Sequence, residues 1–247
     1  MFFFKKKNPP LHELIPNDFV DIHSHLIPGI DDGSKSVADS LQMMEGLHEI
    51  GFSQFITTPH IFQTVWNNTP EIIKREEENL QKVLQTEEQN FPLKAAAEYM
   101  LDISISTRLE NEKLLTLKDN MVLVEMSYLN PPIQLFDLLY EIQIAGYIPV
   151  LAHPERYLYY HARLDLYEKL KNAGCYFQLN LLSTVGYYGL GVAKAAEILL
   201  KKGLIDFVGS DVHHIKHIEA FKREITIKEI APLKEAIQQN QLFRFLS

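Results

Sequence analysis

The stretch FVDIHSHLIPGIDDGS, residues 19–34, places two histidines two positions apart at the end of an apolar run. Two adjacent aspartates and a glycine follow them. Strand residues two apart point to the same side. If residues 19–23 form a strand, His23 and His25 leave its end side by side and aim two imidazoles at one small target. A metal ion is the usual target of such a pair.

Working outward, the same grammar recurs. Short apolar strand candidates lie at 19–23, 54–58 (QFITT), 93–98 (LKAAAE), 121–126 (MVLVEM), 147–152 (YIPVLA), 175–180 (CYFQLN) and 205–209 (IDFVG). Helical patterns cover 37–50, 70–88, 133–145, 164–173, 192–202 and 232–245. Gly51, Gly146, Gly174 and Gly203 each follow a helical run and precede a strand, where glycine terminates helices. Strands alternating with helices predict an α/β fold with a parallel sheet. Seven such units predict a barrel rather than an open sheet. The expected organisation is an N-terminal tail over 1–17 and one barrel domain over 18–247.

The polar residues fall at the strand ends. After the first strand come His23, His25 and Asp31–Asp32, and after the second comes TTPH, ending in His60. The third strand ends in Glu98, and the fourth carries Glu125. AHPER after the fifth supplies His153 and Arg156, and GSDVHH after the seventh supplies Asp211 and His213. In a parallel barrel the strand C-termini open on one face, which carries the active site. Each residue alone has an ordinary reading: a hydrogen-bonded loop histidine, an ion-paired glutamate, a turn aspartate. Six strand ends loaded in the same way favour a metal site.

Imidazole and carboxylate without thiolate suit zinc, manganese, iron and related divalent ions. Nine donors are too many for one tetrahedral ion and enough for two or three. Four carboxylates against three divalent ions leave such a site net positive, so it attracts an anion. Arg156 adds a planar fork suited to phosphate oxygens.

Composition narrows the alternatives. The 247 residues are 46% hydrophobic and carry a formal net charge of -8, with no dominant basic patch, so nucleic acid is not an expected partner. The single cysteine, Cys175, cannot form an internal disulfide and fits a reducing compartment. MFFFKKKNPP has the wrong order for a signal peptide, and no run is long enough to span a membrane. A cytoplasmic location is expected. Phe2 to Lys7 read as a loose tail, with contact to an anionic membrane surface as the alternative.

HSH, TPH, AEY, the glutamate of VEMS, AHPERY and SDVH, in that order, resemble the polymerase and histidinol phosphatase (PHP) family. Within it, DIHSHLIPGIDDGS and AHPERY most resemble the bacterial manganese-dependent tyrosine-protein phosphatases of capsule and exopolysaccharide systems. The resemblance runs from about Asp21 to about His213. It implies a distorted seven-stranded (βα) TIM-like barrel of the PHP type with a trinuclear site. By motif, His23, His25, Glu98 and Asp211 would hold one metal. Glu98 would bridge to a second, with Glu125 and His153. Asp32, His60 and His213 would hold the third, with Asp31 as the fallback for Asp32. Manganese is the expected ion, with iron, zinc, cobalt or magnesium as alternatives. Arg156 corresponds to the family's phosphate-binding arginine. A second basic residue found after SDxH in some relatives is absent from the expected position; either Lys216, His217 or Arg223 substitutes, or nothing does.

The implied reaction is hydrolysis of phosphotyrosine on a protein, the expected partner being a bacterial tyrosine kinase with a tyrosine-rich tail. Clustered divalent metals bring a bound water's pKa towards neutrality. Arg156 would clamp a phosphoryl oxygen, a metal-bound water or a nearby histidine would protonate the phenolate, and His60 and His213 are catalytic candidates beside Arg156. A phosphocysteine route needs C-x5-R, but Leu181 occupies the arginine position counted from Cys175. Trp66, Tyr187 and Tyr188 read as packing residues ahead of a slot for the substrate ring, and Tyr157, Tyr159 and Tyr160 are open between the two. A histidinol-phosphatase-like phosphoesterase, an amide hydrolase on a similar barrel and a metal-stabilised binding module are the competing readings.

Overall fold

The computed structural model describes residues 7–246. Among these, nine parallel strands form two sheets. The first has the order β1 (Phe19–Asp21), β2 (Phe52–Thr57), β4 (Leu93–Ala95). The second runs β3 (His60–Ile61), β5 (Glu98–Met100), β6 (Met121–Glu125), β7 (Ile148–Ala152), β8 (Tyr176–Asn180), β9 (Phe207–Gly209). The α/β class and parallel pairing match expectation, but the strands do not form the expected seven-stranded barrel: nine strands divide between two sheets. Two breaks add strands to the expected set, one just past the expected 54–58 strand and one inside the expected 93–98 strand. Pro59, which has no N–H to give a ladder, separates β2 from β3. The Ala96–Ala97 step separates β4 from β5, with the Ala96 N–H turning to the Thr57 carbonyl at 2.8 Å.

Both sheets share one inner core. Val20 and Ile56 from the first sheet cluster with Leu123, Val150, Ala152 and Phe207 from the second. Past their ends, β1 and β9 are joined by a parallel bridge between Ser24 and Val212. At the opposite end the buried Asn240 side chain spans the same two strands. Its amide donates to the carbonyls of Val20 (2.9 Å) and Val208 (2.8 Å), and its oxygen accepts the Val208 N–H at 3.0 Å. Phe243 packs edge-on against Phe207, with centroids 4.8 Å apart, in keeping with an aromatic pair.

The outer faces of the strands pack against helices α1 (Val37–Glu49), α2 (Pro70–Thr86), α3 (Ser104–Asn111), α4 (Leu135–Ile144), α5 (Leu164–Asn172), α6 (Leu190–Lys201), α7 (Ile215–Ala220) and α8 (Ala231–Gln239). Ser36 and Thr69 cap α1 and α2 by accepting from Asp39 and Ile72 N–H groups. The short α3 and α7 were not expected from the pattern. The expected 232–245 helix stops at Gln239 and continues as a 3₁₀ turn over Asn240–Phe243.

The stretch expected as a tail is packed where it is described. Leu11 is fully buried in the core, and its N–H bonds to the Arg223 carbonyl at 3.0 Å. An apolar Leu11-x-x-Leu14-Ile15 pattern, too short to signal a helix, packs on the core around a 3₁₀ turn over Leu11–Leu14. Residues 2–6 of the FFFKKK segment lie outside the described residues. Among the described residues no helix is long and apolar enough to cross a membrane.

Candidate metal centre

At the C-terminal ends of the strands the chain gathers all nine expected donors. They form four overlapping groups whose ligand atoms lie within 4.8 Å of one another: His25, Asp32, His60 and His213; His23, Glu98 and His153; His23, His25 and Asp211; His60, Glu98 and Glu125. The convergence follows from topology, because parallel strands end on one face.

The first pair behaves as its spacing suggests. His23 donates from Nδ1 to the Gln178 Oε1 (2.7 Å), and His25 donates from Nδ1 to Asp31 Oδ2 (2.8 Å). Each acceptor is a bare oxygen, so the proton sits on Nδ1 and both Nε2 atoms are lone pairs in the neutral rings. Those atoms face each other at 3.4 Å. Two lone pairs turned together in a dry site repel unless a cation lies near both. Glu98 Oε2 (3.2 Å) and Asp211 Oδ1 (3.4 Å) also face His23 Nε2.

His60 gives a second fit. Its Nδ1 is buried with no hydrogen-bond partner, although Glu125 Oε1 is 2.9 Å away and Glu98 Oε2 is 3.2 Å away. Its Nε2 faces Asp32 Oδ1 at 3.4 Å, which His213 Nε2 approaches at 3.5 Å. His213 is oriented by donating from Nδ1 to the Asp211 carbonyl (2.9 Å). His153 Nε2 lies 3.1 Å from Glu98 Oε1. This mixed nitrogen and oxygen set, with second partners fixing the rings, suits divalent ions.

The adjacent aspartates divide the work. Asp31 is buried and accepts from His25 Nδ1, the Gly33 N–H (2.9 Å) and the His60 N–H (3.2 Å). Asp32 is half exposed and faces the two outer histidines.

Electrostatics bind the cluster together without an ion. Burial opposes charge on Glu98 and Asp211, yet His23 and the other imidazoles hold both carboxyls well below the usual range. Burial alone would lower His60, but Glu125 and Glu98 more than reverse it and push its pKa up to about 9. In the metal-free protein a proton therefore occupies part of the place a cation would take.

Backbone geometry is equally specialised. His153 and Asp211 adopt the left-handed region, with φ of 37° and 50°, a strained state that clusters at functional sites. Gly33 and Gly209 are required by contact. A Cβ on Gly33 would meet the His25 Cβ at 2.3 Å, and one on Gly209 would meet the His23 Cβ at 2.7 Å.

Arg156 reaches the cluster from the turn after β7. Its Nη1 donates to Asp211 Oδ2 at 2.6 Å, an oxygen that also accepts from Asn180 Nδ2 at 2.9 Å. The guanidinium lies 4.2 Å from the Tyr188 ring centre and 4.8 Å from that of Tyr128. Such stacking fixes the plane of the fork. Among the described residues, Arg156 is the only lysine or arginine paired with a cluster carboxylate. The expected substitutes for a second cation do not join it. His217 accepts from the His213 N–H (3.2 Å) and is pushed down to about 3 by burial and by His214, so it is neutral. Arg223 covers the Tyr187 ring, and Lys216 is exposed.

Tyr157 is fully buried and bonds the Ala152 carbonyl (3.1 Å) and the Met126 N–H (2.9 Å), so it is structural. Tyr159 bonds the Ser127 carbonyl at 2.9 Å and packs on Tyr160. Trp66 is half-buried in a bridge with Phe62. Cys175 is buried beneath β8, and burial pushes its thiol up to about 12, which makes it unreactive.

Sequence reasoning missed Tyr128, Gln178 and Asn180. The signal for the last two was present: CYFQLN sets two amides at alternate positions of an otherwise apolar strand end. Tyr128 Oη lies 3.3 Å from His153 Nε2, but its place in the SYLNPP loop gave no periodic cue.

The family model for capsular polysaccharide synthesis CpsB/CapC proteins matches residues 19–231. Tyrosine-protein phosphatase YwqE of Bacillus subtilis is 31% identical over 198 residues, covering 80% of this chain and 78% of YwqE. Tyrosine-protein phosphatase CpsB of Streptococcus pneumoniae is 26% identical over 202 residues, covering 79% and 83%. A solved structure from work on these two proteins, described as unique metal-dependent tyrosine phosphatases, superposes with a TM-score of 0.79. It is 27% identical, and the match covers 91% of this chain and 93% of that one.

Proposed function

Because the chain belongs to the CpsB/CapC family of capsular polysaccharide synthesis, we propose that it is a metal-dependent protein-tyrosine phosphatase whose reaction takes place at the nine-residue cluster. The observation that carries this reading is the pairing of a multi-donor nitrogen and oxygen cluster with one stacked arginine on its rim. His23, His25, Glu98 and Asp211 would hold one ion, and Glu98, Glu125 and His153 a second. Asp32, His60 and His213 would hold a third. Manganese is the proposed ion.

Bound divalent ions supply Lewis acidity and lower the pKa of water near them. The chain's own groups do the rest. Gln178 and Asp31 keep His23 and His25 in the Nδ1–H tautomer, with Nε2 turned inward. Arg156 is anchored through Nη1 to Asp211, which leaves the other edge of its fork for phosphoryl oxygens. Water's oxygen bonds to phosphorus, the bond from phosphorus to the phenolic oxygen breaks, and tyrosine and phosphate leave. The phenolate, with a parent pKa of about 10, takes a proton from water at the open rim of the site, beside the half-exposed Asp32, as it leaves.

The proposed physiological substrate is a phosphotyrosine protein, with the tyrosine-rich tail of a bacterial tyrosine kinase as the specific partner. The test compares phosphate release from a phosphotyrosine peptide, the matching phosphoserine peptide and histidinol phosphate. Preference for the first by at least tenfold in kcat/KM is expected. Release from histidinol phosphate alone would keep the metal centre and overturn the substrate.

A further inference from the structure

An apolar cleft of about 460 Å³ opens beside the cluster. Resting on the phosphotyrosine reading above, we propose that it seats a bulky apolar side chain flanking the phosphotyrosine of the protein substrate.

Its position is set by the same strands that carry the donors. Phe62, Met100 and Ser127 line it, and each stands two residues beyond a cluster residue: His60, Glu98 and Glu125. β5 pairs with both β3 and β6, so these three ends are neighbours. Two extended residues span about 6–7 Å, close to the length of a tyrosine side chain. With a phosphate at the cluster, the substrate backbone therefore lies at the mouth of the cleft.

The lining selects chemistry. Ile103 and Ile133 stand on its rim and are 71% and 103% exposed. Single exposed apolar residues are ordinary, but these share one concave surface with Phe62 and Met100, which marks a binding face. Among the described residues, Asp102 is the only charged one in the lining. Its Oδ1 is taken by the Ser104 N–H (2.8 Å) and hydroxyl (2.5 Å). Among the described residues no cationic side chain lines the cleft to receive an acidic flank, and the one charge repels it. The cleft is lined by residues that closely follow three cluster residues along the chain, and it is complementary to an uncharged, bulky neighbour of the phosphotyrosine.

The test uses the manganese-loaded protein. Substrates are free phosphotyrosine and three peptides of one length, with isoleucine, serine or glutamate on both sides of the phosphotyrosine. The isoleucine peptide should exceed the glutamate peptide at least tenfold in kcat/KM, mainly through KM. Ile103→Asp and Ile133→Asp, both at exposed positions, should abolish most of that preference and leave free phosphotyrosine turnover unchanged. Equal rates for the three peptides with normal turnover of free phosphotyrosine would overturn the cleft assignment alone. So would an altered sedimentation state in the variants with an unchanged flank preference, which would give the face to a second copy of the chain. No turnover of any of the four substrates would overturn the phosphotyrosine reading, and the cleft assignment with it.

Discussion

His60 sits with one nitrogen toward Glu125 and Glu98 and the other toward Asp32, and its protonation should report the state of the whole centre. Its pKa in the metal-free fold is raised from 6.5 to about 9. A raised base contributes stability that is fully present below its ordinary value and lost as pH rises through the folded value. The metal-free protein should therefore lose melting temperature between about pH 6.5 and 9 from this group. Metal displaces the proton, so loaded protein should show a flatter profile, as should metal-free His60→Asn. An unchanged slope in His60→Asn would contradict the assignment. At the rim, Arg156→Lys keeps the charge and loses the fork and the stacking on Tyr128 and Tyr188. A hydrogen bond to a charged group contributes about 1.5–3 kcal/mol, so kcat/KM should fall roughly tenfold to a hundredfold. Cys175→Ser should leave the rate unchanged, because the thiol is buried and held protonated. The nine donors were legible because carboxylates and imidazoles end otherwise apolar strands. Tyr128 was not, because its role depends on a loop folding back over Arg156, which no local pattern encodes.

At the scale of elements, the centre depends on backbones that approach without a side chain between them. The segment after β1 passes so close to Gly33 and to Gly209 at the end of β9 that any Cβ there overlaps the two first histidines. Gly209→Ala should displace the His23 ring and weaken metal binding by about ten- to a hundredfold, the range for losing outer support. Calorimetric titration of metal into the two proteins checks this, and equal affinities would show that the contact relaxes freely. The helix and strand alternation was readable from glycines that end helices and apolar runs that follow. The two breaks that add strands were less so. Pro59 announces the first in hindsight, but nothing in LKAAAEYM signals that Ala96 turns its N–H to Thr57. That choice is made by the neighbouring strand. The packed N-terminal turn was misread for a related reason: Leu11 is buried by partners more than 200 positions away in sequence.

For the whole molecule, the seam between the first and last strands decides whether donors at the two ends of the sequence meet. Asn240 fastens that seam below with three hydrogen bonds, and Asp21 fastens it above by accepting from the Ser210 N–H at 3.0 Å. Asn240→Leu would strand buried backbone groups at about 1–3 kcal/mol each. It should lower the melting temperature by several degrees while leaving the metal count per folded chain unchanged. The central claim is that one cluster, loaded with divalent ions, hydrolyses phosphotyrosine. The most direct test strips the protein of metal, then titrates manganese back while following phosphate release from a phosphotyrosine peptide. The account predicts no release without metal and full recovery as two or three ions bind per chain. Sustained release from the stripped protein, or none after the ions have bound, would contradict it.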